Sequence, residues 1–389
     1  MDIKKDISNF IDEISKKTKV PNFIANDFTN FDPNKTKVLY SGPYWDDKEI
    51  KNAVTAFLTG KWLPSGENVL KFERKFSKHI NVKSSVMVNS GSSANLLMLE
   101  AMKKVFGWKD GDEIIVSPVG FPTTIAPIVQ VNMKPVFIDI EFETLNFDVD
   151  LIEEKITDKT KGIFLSPVLG NPPDMDKILD ICKKHNVKLI LDGCDSLGSF
   201  AWWGRDCYCV GAGNMLPNGT CKMRFNNWLK PEYNEIVDHR YVFANMGYNM
   251  KPLDFQGAIG LAQMEKLDEI HKGRMLSKNT LGKIVKKHCD VYVPEELEHA
   301  KTSWFGTPIV CDNKTQKDKL VAYFEQNRVQ TRNYFAGNIL FHPAYKHLDD
   351  YSKYPNSNKV FDKVFFIGAT PHYTQDVFDY VDNILKNYE

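Results

Sequence analysis

The sequence predicts an α/β fold: one large, mostly parallel sheet with helices on both faces, followed by a smaller α/β unit. Five short apolar runs, at 85–89, 113–117, 135–140, 162–168 and 188–191, alternate with helix-length segments. That alternation is the signature of strands joined by crossover helices. The chain of 389 residues, 42% of them hydrophobic, is long enough for one large domain and a smaller one.

Residues 1–38 read as a polar amphipathic helix and a loop, an N-terminal arm. Apolar residues then recur at helical spacing over 46–58 and 69–76, with Pro64-Ser65-Gly66 as punctuation between them. The strand and helix alternation follows. After Trp228 the pattern turns helical, with one helix expected over 255–272 and another near 278–287. Short runs at 291–293, 307–311 and 329–331 then alternate with helices. The expected division is an arm (1–38), a large domain (39–270) and a small C-terminal domain (271–389).

Charge excludes several function classes. Fifty Lys plus Arg balance fifty Asp plus Glu, so there is no electrostatic footprint for nucleic acid or for a membrane surface. The N-terminus has no apolar signal core, and no run approaches the ~18 residues of a spanning helix. A cytoplasmic protein is expected. Seven cysteines in a reducing compartment read as buried thiols or metal ligands rather than disulfides.

Three stretches carry chemistry. Val-Asn-Ser-Gly-Ser-Ser-Ala-Asn, residues 88–95, sets small residues between an expected strand and a helix. Backbone N–H groups there can approach a phosphate closely, although Ser-Gly-Ser also makes an ordinary N-cap. Asp192 ends an apolar strand, where ligands of open α/β sheets gather. It can pair with a protonated ring nitrogen or simply cap the next turn. Phe121, in Gly-Phe-Pro-Thr-Thr, can stack on a flat ring or serve as core.

Together, Ser-Gly-Ser-Ser-Ala, Gly-Phe-Pro-Thr-Thr, Leu-Asp-Gly-Cys-Asp-Ser-Leu-Gly and Gly-Tyr-Asn-Met-Lys-Pro-Leu-Asp-Phe-Gln-Gly-Ala resemble the DegT/DnrJ/EryC1/StrS sugar aminotransferases in order and spacing over 38–389. Trp-Gly-Arg-Asp-Cys-Tyr-Cys (203–209) and Arg-Asn-Tyr-Phe-Ala-Gly-Asn-Ile-Leu (332–340) resemble a branch of it. That branch is the nucleotide-sugar 3-dehydratases of O-antigen dideoxysugar synthesis, above all the iron-sulfur members acting on CDP-4-keto-6-deoxyglucose. The resemblance implies a fold-type I pyridoxal 5'-phosphate (PLP) architecture. Gly91, Ser92 and Ser93 would hold the cofactor phosphate, Phe121 would stack on the ring, and Asp192, with Asp195 beside it, would face the pyridine nitrogen. Asn249 would reach the cofactor phosphate of a neighbouring subunit, implying a homodimer.

The reaction so implied removes the C3 hydroxyl of a nucleotide-linked 4-keto-6-deoxyhexose with the aminated cofactor (PMP). An NADH-dependent flavin iron-sulfur reductase then supplies electrons through a [2Fe-2S] cluster, giving a 3,6-dideoxy-4-keto sugar for lipopolysaccharide. Cys194, Cys207, Cys209 and Cys221 match the family's cluster cysteines in order. Thiolates suit iron-sulfur clusters, and four of them also suit tetrahedral zinc. Cys182, Cys289 and Cys311 match no ligand motif and read as core thiols.

One departure stands out. In the family, the segment after Asp-Ser-Leu-Gly holds two more strands and the catalytic Lys or His. Here 197–201 runs straight into Trp202-Trp203-Gly204-Arg205, and no Lys or His occurs between Lys188 and Lys222. The large domain is expected to be shortened after Ser199, which leaves three outcomes open: 85–89 closes up against 188–191, a partner chain fills the gap, or the sequence lacks a segment that the natural protein has. Lys222 and His239 are candidate replacement bases, more easily read as surface or structural groups. A sugar aminotransferase, which would need the missing Lys, and a catalytically dead member that binds nucleotide sugar or a homologous subunit are the competing readings.

Overall fold

The computed structural model describes residues 2–18, 28, 30–197 and 248–388, with three two-residue strands between the last two stretches. In chain order, helices α1 (Ile3–Lys17), α2 (Asp47–Thr59), α3 (Glu67–His79) and α4 (Gly91–Phe106) precede strand β1 (Glu113–Val116). Helix α5 (Pro122–Gln130), strands β2 (Lys134–Phe137), β3 (Ile140–Glu141), β4 (Asn146–Phe147) and β5 (Thr160–Leu165), helix α6 (Met175–His185) and strand β6 (Lys188–Leu191) follow. Strands β7 (Phe200–Ala201), β8 (Phe225–Asn226) and β9 (Val237–Asp238) lead to the long helix α7 (Asp254–His288). The C-terminal part holds β10 (Ala300–Lys301), β11 (Gly306–Val310), α8 (Lys314–Gln326), β12 (Thr331–Asn333), α9 (Pro355–Lys363), β13 (Val364–Gly368) and α10 (Gln375–Lys386).

Four of the five expected runs form one parallel sheet in the order β2-β1-β5-β6. Both faces of β1 are covered. Ile114 and Val116 pack with Leu99 of α4 and with Ile125 and Ile128 of α5, whereas Ile115 packs with Met175, Ile178 and Cys182 of α6. Burial on both faces is why these strands read as continuous apolar runs.

The fifth run, 85–89, forms no ladder. It is held by α3 instead: Met87 N–H donates to Glu73 Oε1 at 2.7 Å, and Ser85 Oγ donates to the Glu73 carbonyl at 2.7 Å. It does not close against β6, and among the described residues no strand pairs with the outer edge of β6. Leu191 and Val86 are both exposed. A strand needs a partner to satisfy its backbone, and among the described residues none lies beside 85–89.

The second sheet is antiparallel, in the order β11-β13-β12. Its core takes Leu281 and Val285 from α7, Leu320 and Phe324 from α8, and Val377 and Val381 from α10. Phe28 and Val38 belong to this core too. The two helices expected around 255–287 are one helix of 35 residues. Gly273 allows it to pass close to the chain, since a Cβ there would stand 2.5 Å from Pro371 Cβ. Among the described residues, no helix is long and apolar enough to cross a membrane.

Candidate active site

Three helix starts and strand ends meet at the carboxyl edge of the parallel sheet. Ser90 caps α4, its Oγ accepting from Ser93 N–H at 3.2 Å, and Gly91 and Ser92 in the first turn are exposed. Free N–H groups and the positive end of the helix dipole face outward there. A Cβ on Gly91 would stand 2.8 Å from Cys194 Sγ, so glycine is what lets the turn after β6 approach α4 so closely.

Asp192 follows β6 and is 4% exposed. Its Oδ2 accepts from Asn95 Nδ2 of α4 at 2.8 Å and from Thr124 Oγ1 of α5 at 2.7 Å. Its Oδ1 accepts the Cys194 N–H at 3.3 Å. The Asn95 amide also donates to the Thr123 carbonyl at 3.0 Å, which ties α5 to α4. Two neutral donors thus fix a buried carboxylate on Oδ2, while Oδ1, which takes only the longer bond from the Cys194 N–H, keeps lone-pair capacity for a cationic partner.

Phe121 is the N-cap of α5 and is 52% exposed, so its ring is not core. Phe335 meets it edge-on at 6.1 Å and 89°. Asp195 accepts from Leu169 N–H at 3.2 Å. Burial pushes its carboxyl up to about 6, with repulsion from Asp192 adding to the rise and the Leu169 N–H and the Arg274 guanidinium opposing it. Asn249 is exposed, beside Met250, whose carbonyl accepts from Asn89 N–H at 3.1 Å.

Gly91, Ser92, Phe121, Asp192, Cys194 and Asp195 therefore come together. The residues present fit a phosphorylated pyridine: helix N–H groups for the phosphate, an open aromatic face, and an oriented carboxylate. Sequence reasoning missed Asn95 and Thr124, which lie 97 and 68 positions from Asp192. Their small polar character at helix starts was the available signal.

Cys207, Cys209 and Cys221, together with Lys222 and His239, lie outside the described residues. Among the described residues, no group of three His, Cys, Asp or Glu side chains could hold a metal. The Cys194 thiol is pushed up to about 12, first by burial of its sulfur and then by its hydrogen bond to Asp192. A cleft lined by Phe106, Trp108, Thr160, Lys161 and Lys188 lies at the opposite, amino edge of the sheet and holds none of these groups.

The sequence profile of the DegT/DnrJ/EryC1/StrS aminotransferase family matches residues 45–213 and 230–386. The chain belongs to this family. Among its relatives, the lipopolysaccharide biosynthesis protein RfbH of Salmonella typhimurium is 31% identical over 97% of this chain and 96% of its own length. The dTDP-4-dehydro-2,6-dideoxy-D-glucose 3-dehydratase of Saccharopolyspora spinosa is 30% identical over 98% and 91%. The solved structure of Escherichia coli GDP-4-keto-6-deoxy-D-mannose-3-dehydratase with bound hydrated PLP superimposes with a TM-score of 0.75, at 28% identity, over 90% of this chain and 99% of that one. This DegT/DnrJ/EryC1/StrS member thus has the PLP-dependent aminotransferase fold. The Salmonella alignment extends over 435 positions although it takes in only 97% of 389 residues, so roughly 58 positions of it carry no residue of this chain.

Proposed function

We propose that this chain binds PMP or PLP between α4, α5 and β6 and belongs to the nucleotide-sugar 3-dehydratase branch of its family, with turnover impaired by a missing segment after Ser199. The observation that carries the reading is Asp192, buried and oriented by Asn95 and Thr124 beneath an exposed helix start and an exposed Phe121. When bound, the pyridine ring would supply an electron sink for loss of the C3 hydroxyl from a 4-keto sugar. Gly91, Ser92 and Ser93 would bind the phosphate through N–H groups and hydroxyls. Phe121 would cover one ring face, and Asp192 would hold a proton on the ring nitrogen. Asp195, whose carboxyl is pushed up to about 6, would lie beside it.

The substrate class is a nucleotide-linked 4-keto-6-deoxyhexose, supported by the relatives' names, which differ in nucleotide and sugar. Cys194, Cys207, Cys209 and Cys221 are proposed as cluster ligands fed by a flavin iron-sulfur reductase. The support is their order in the chain and the placing of Cys194 against the phosphate-binding turn. Asn249, exposed near Asn89, is proposed to serve a partner subunit in a homodimer. An arm (1–38), a large domain (39–270) and a small domain (271–389) are proposed, with helix α7 running unbroken across the 270/271 boundary.

A catalytically dead member is the second reading, favoured by one observation. No Lys or His lies between Lys188 and Lys222, so that stretch lacks the residue types that the family uses to move the proton. The two readings separate in one assay. Protein loaded with PMP is mixed with a nucleotide-linked 4-keto-6-deoxyhexose, with and without imidazole, and followed by mass spectrometry for loss of water. Slow dehydration, accelerated by imidazole, supports the impaired dehydratase. Sugar binding with no loss of water under either condition supports the dead member.

A further inference from the structure

Phe335 sits in the left-handed region at φ 47°, a conformation that costs a bulky L-residue roughly 1–2 kcal/mol. The loop around it is clasped to the loop before Phe121. Ala336 N–H donates to the Gly120 carbonyl at 3.3 Å, Ile339 N–H donates to the Pro118 carbonyl at 2.9 Å, and Val119 bridges Asn338. This backbone geometry holds Phe335 in a T-shaped pair with the exposed Phe121, ring centroids 6.1 Å apart and ring planes at 89°. Behind it, Phe335 packs on Phe305 at 6.4 Å and on Phe366 of β13 at 5.7 Å. Phe335 is therefore a wedge between the C-terminal sheet and the ring that covers the proposed cofactor.

We propose that Phe335 is a positioning residue, setting the tilt of Phe121 and thereby that of the pyridine ring beneath it. This rests on the cofactor reading given above. A strained aromatic is explained when its strain places a ring at a site, and plain core packing asks for no such backbone. Edge-to-face pairing has a preferred angle, so removing the Phe335 ring frees Phe121 to rotate without emptying the site.

The test is a double-mutant cycle of F121L and F335L, read by absorbance titration with PMP and by circular dichroism of the bound ring. F335L should weaken PMP binding about three- to tenfold and reduce the dichroic band, and F335Y should restore both. In the F121L background F335L should have little further effect, because the two rings act as a pair. Unchanged affinity and dichroism in F335L, or effects that simply add, would overturn the proposal while leaving the cofactor reading intact. Wild-type protein that binds no PMP would overturn the cofactor reading itself, and this inference with it. Should F335L not fold, F335M fills the same gap without an aromatic edge and carries the same test.

Discussion

Asn95 Nδ2 stands 2.8 Å from Asp192 Oδ2 and 3.0 Å from the Thr123 carbonyl, so one amide joins the helix start, the strand end and the ring-bearing turn of the site. A hydrogen bond to a buried carboxylate contributes about 1.5–3 kcal/mol. Asn95→Ala should therefore weaken PMP binding by about tenfold or more, and Thr124→Val should act in the same direction. Titration calorimetry with PMP checks both, and affinities equal to wild type would show that Asp192 is not held for a ligand.

The proposed loss of a segment after Ser199 makes a sharper prediction. Grafting the corresponding stretch of the Salmonella relative after Ser199 would, on this proposal, supply strands beside β6 and a base near the site. Turnover should rise by about 10²- to 10⁴-fold, the usual contribution of a positioned base. A graft that folds, binds PMP and turns over no faster would place the defect elsewhere.

Asp254 carries a structural load remote from the chemistry. At the start of α7 and 4% exposed, it accepts from Asn68 N–H at 2.9 Å, Val69 N–H at 3.1 Å and Asn68 Nδ2 at 2.6 Å. It caps α3, whose own N-cap Gly66 offers no side chain. Asp254→Ala should cost about 2–4 kcal/mol in urea unfolding, with Asp254→Asn intermediate. A loss under about 0.5 kcal/mol would contradict this capping role.

Acid sensitivity should trace in part to His271 of α7. Burial lowers its pKa below the ordinary 6.5, the charges of Arg274 and Lys301 push the same way, and Asp268 opposes them. Its Nδ1 has no hydrogen-bond partner among the described residues. The unfolded imidazole takes up its proton near pH 6.5 while the folded one resists, so stability falls as pH drops through 6.5 toward the folded pKa. His271→Gln should flatten that part of the stability curve in urea melts between about pH 7.5 and 5.5. An unchanged slope would assign the sensitivity to other groups.

The parallel sheet was legible because strands buried on both faces leave unbroken apolar runs, and Asp192 was legible because it ends one of them. The 85–89 run carries the same signal, but among the described residues no strand pairs with it and Glu73 of α3 holds it instead. Strand β13, Val364–Gly368, went unread although it is the central strand of the second sheet, since its short apolar run follows directly on helix α9. The unbroken α7 was hidden by Gly273, which packs against Pro371 rather than ending the helix. Asn95, Thr124 and Phe335 act across long separations, and only the folded chain brings them to Asp192 and Phe121.

The central claim is that Asp192 and its surroundings form a working cofactor site even without a base. Absorbance titration of the purified chain with PMP, run beside Asp192→Asn, tests it most directly. Saturable binding by wild type, weakened about tenfold or more in Asp192→Asn, is the predicted result. No binding by wild type, or equal binding by the two proteins, would contradict it.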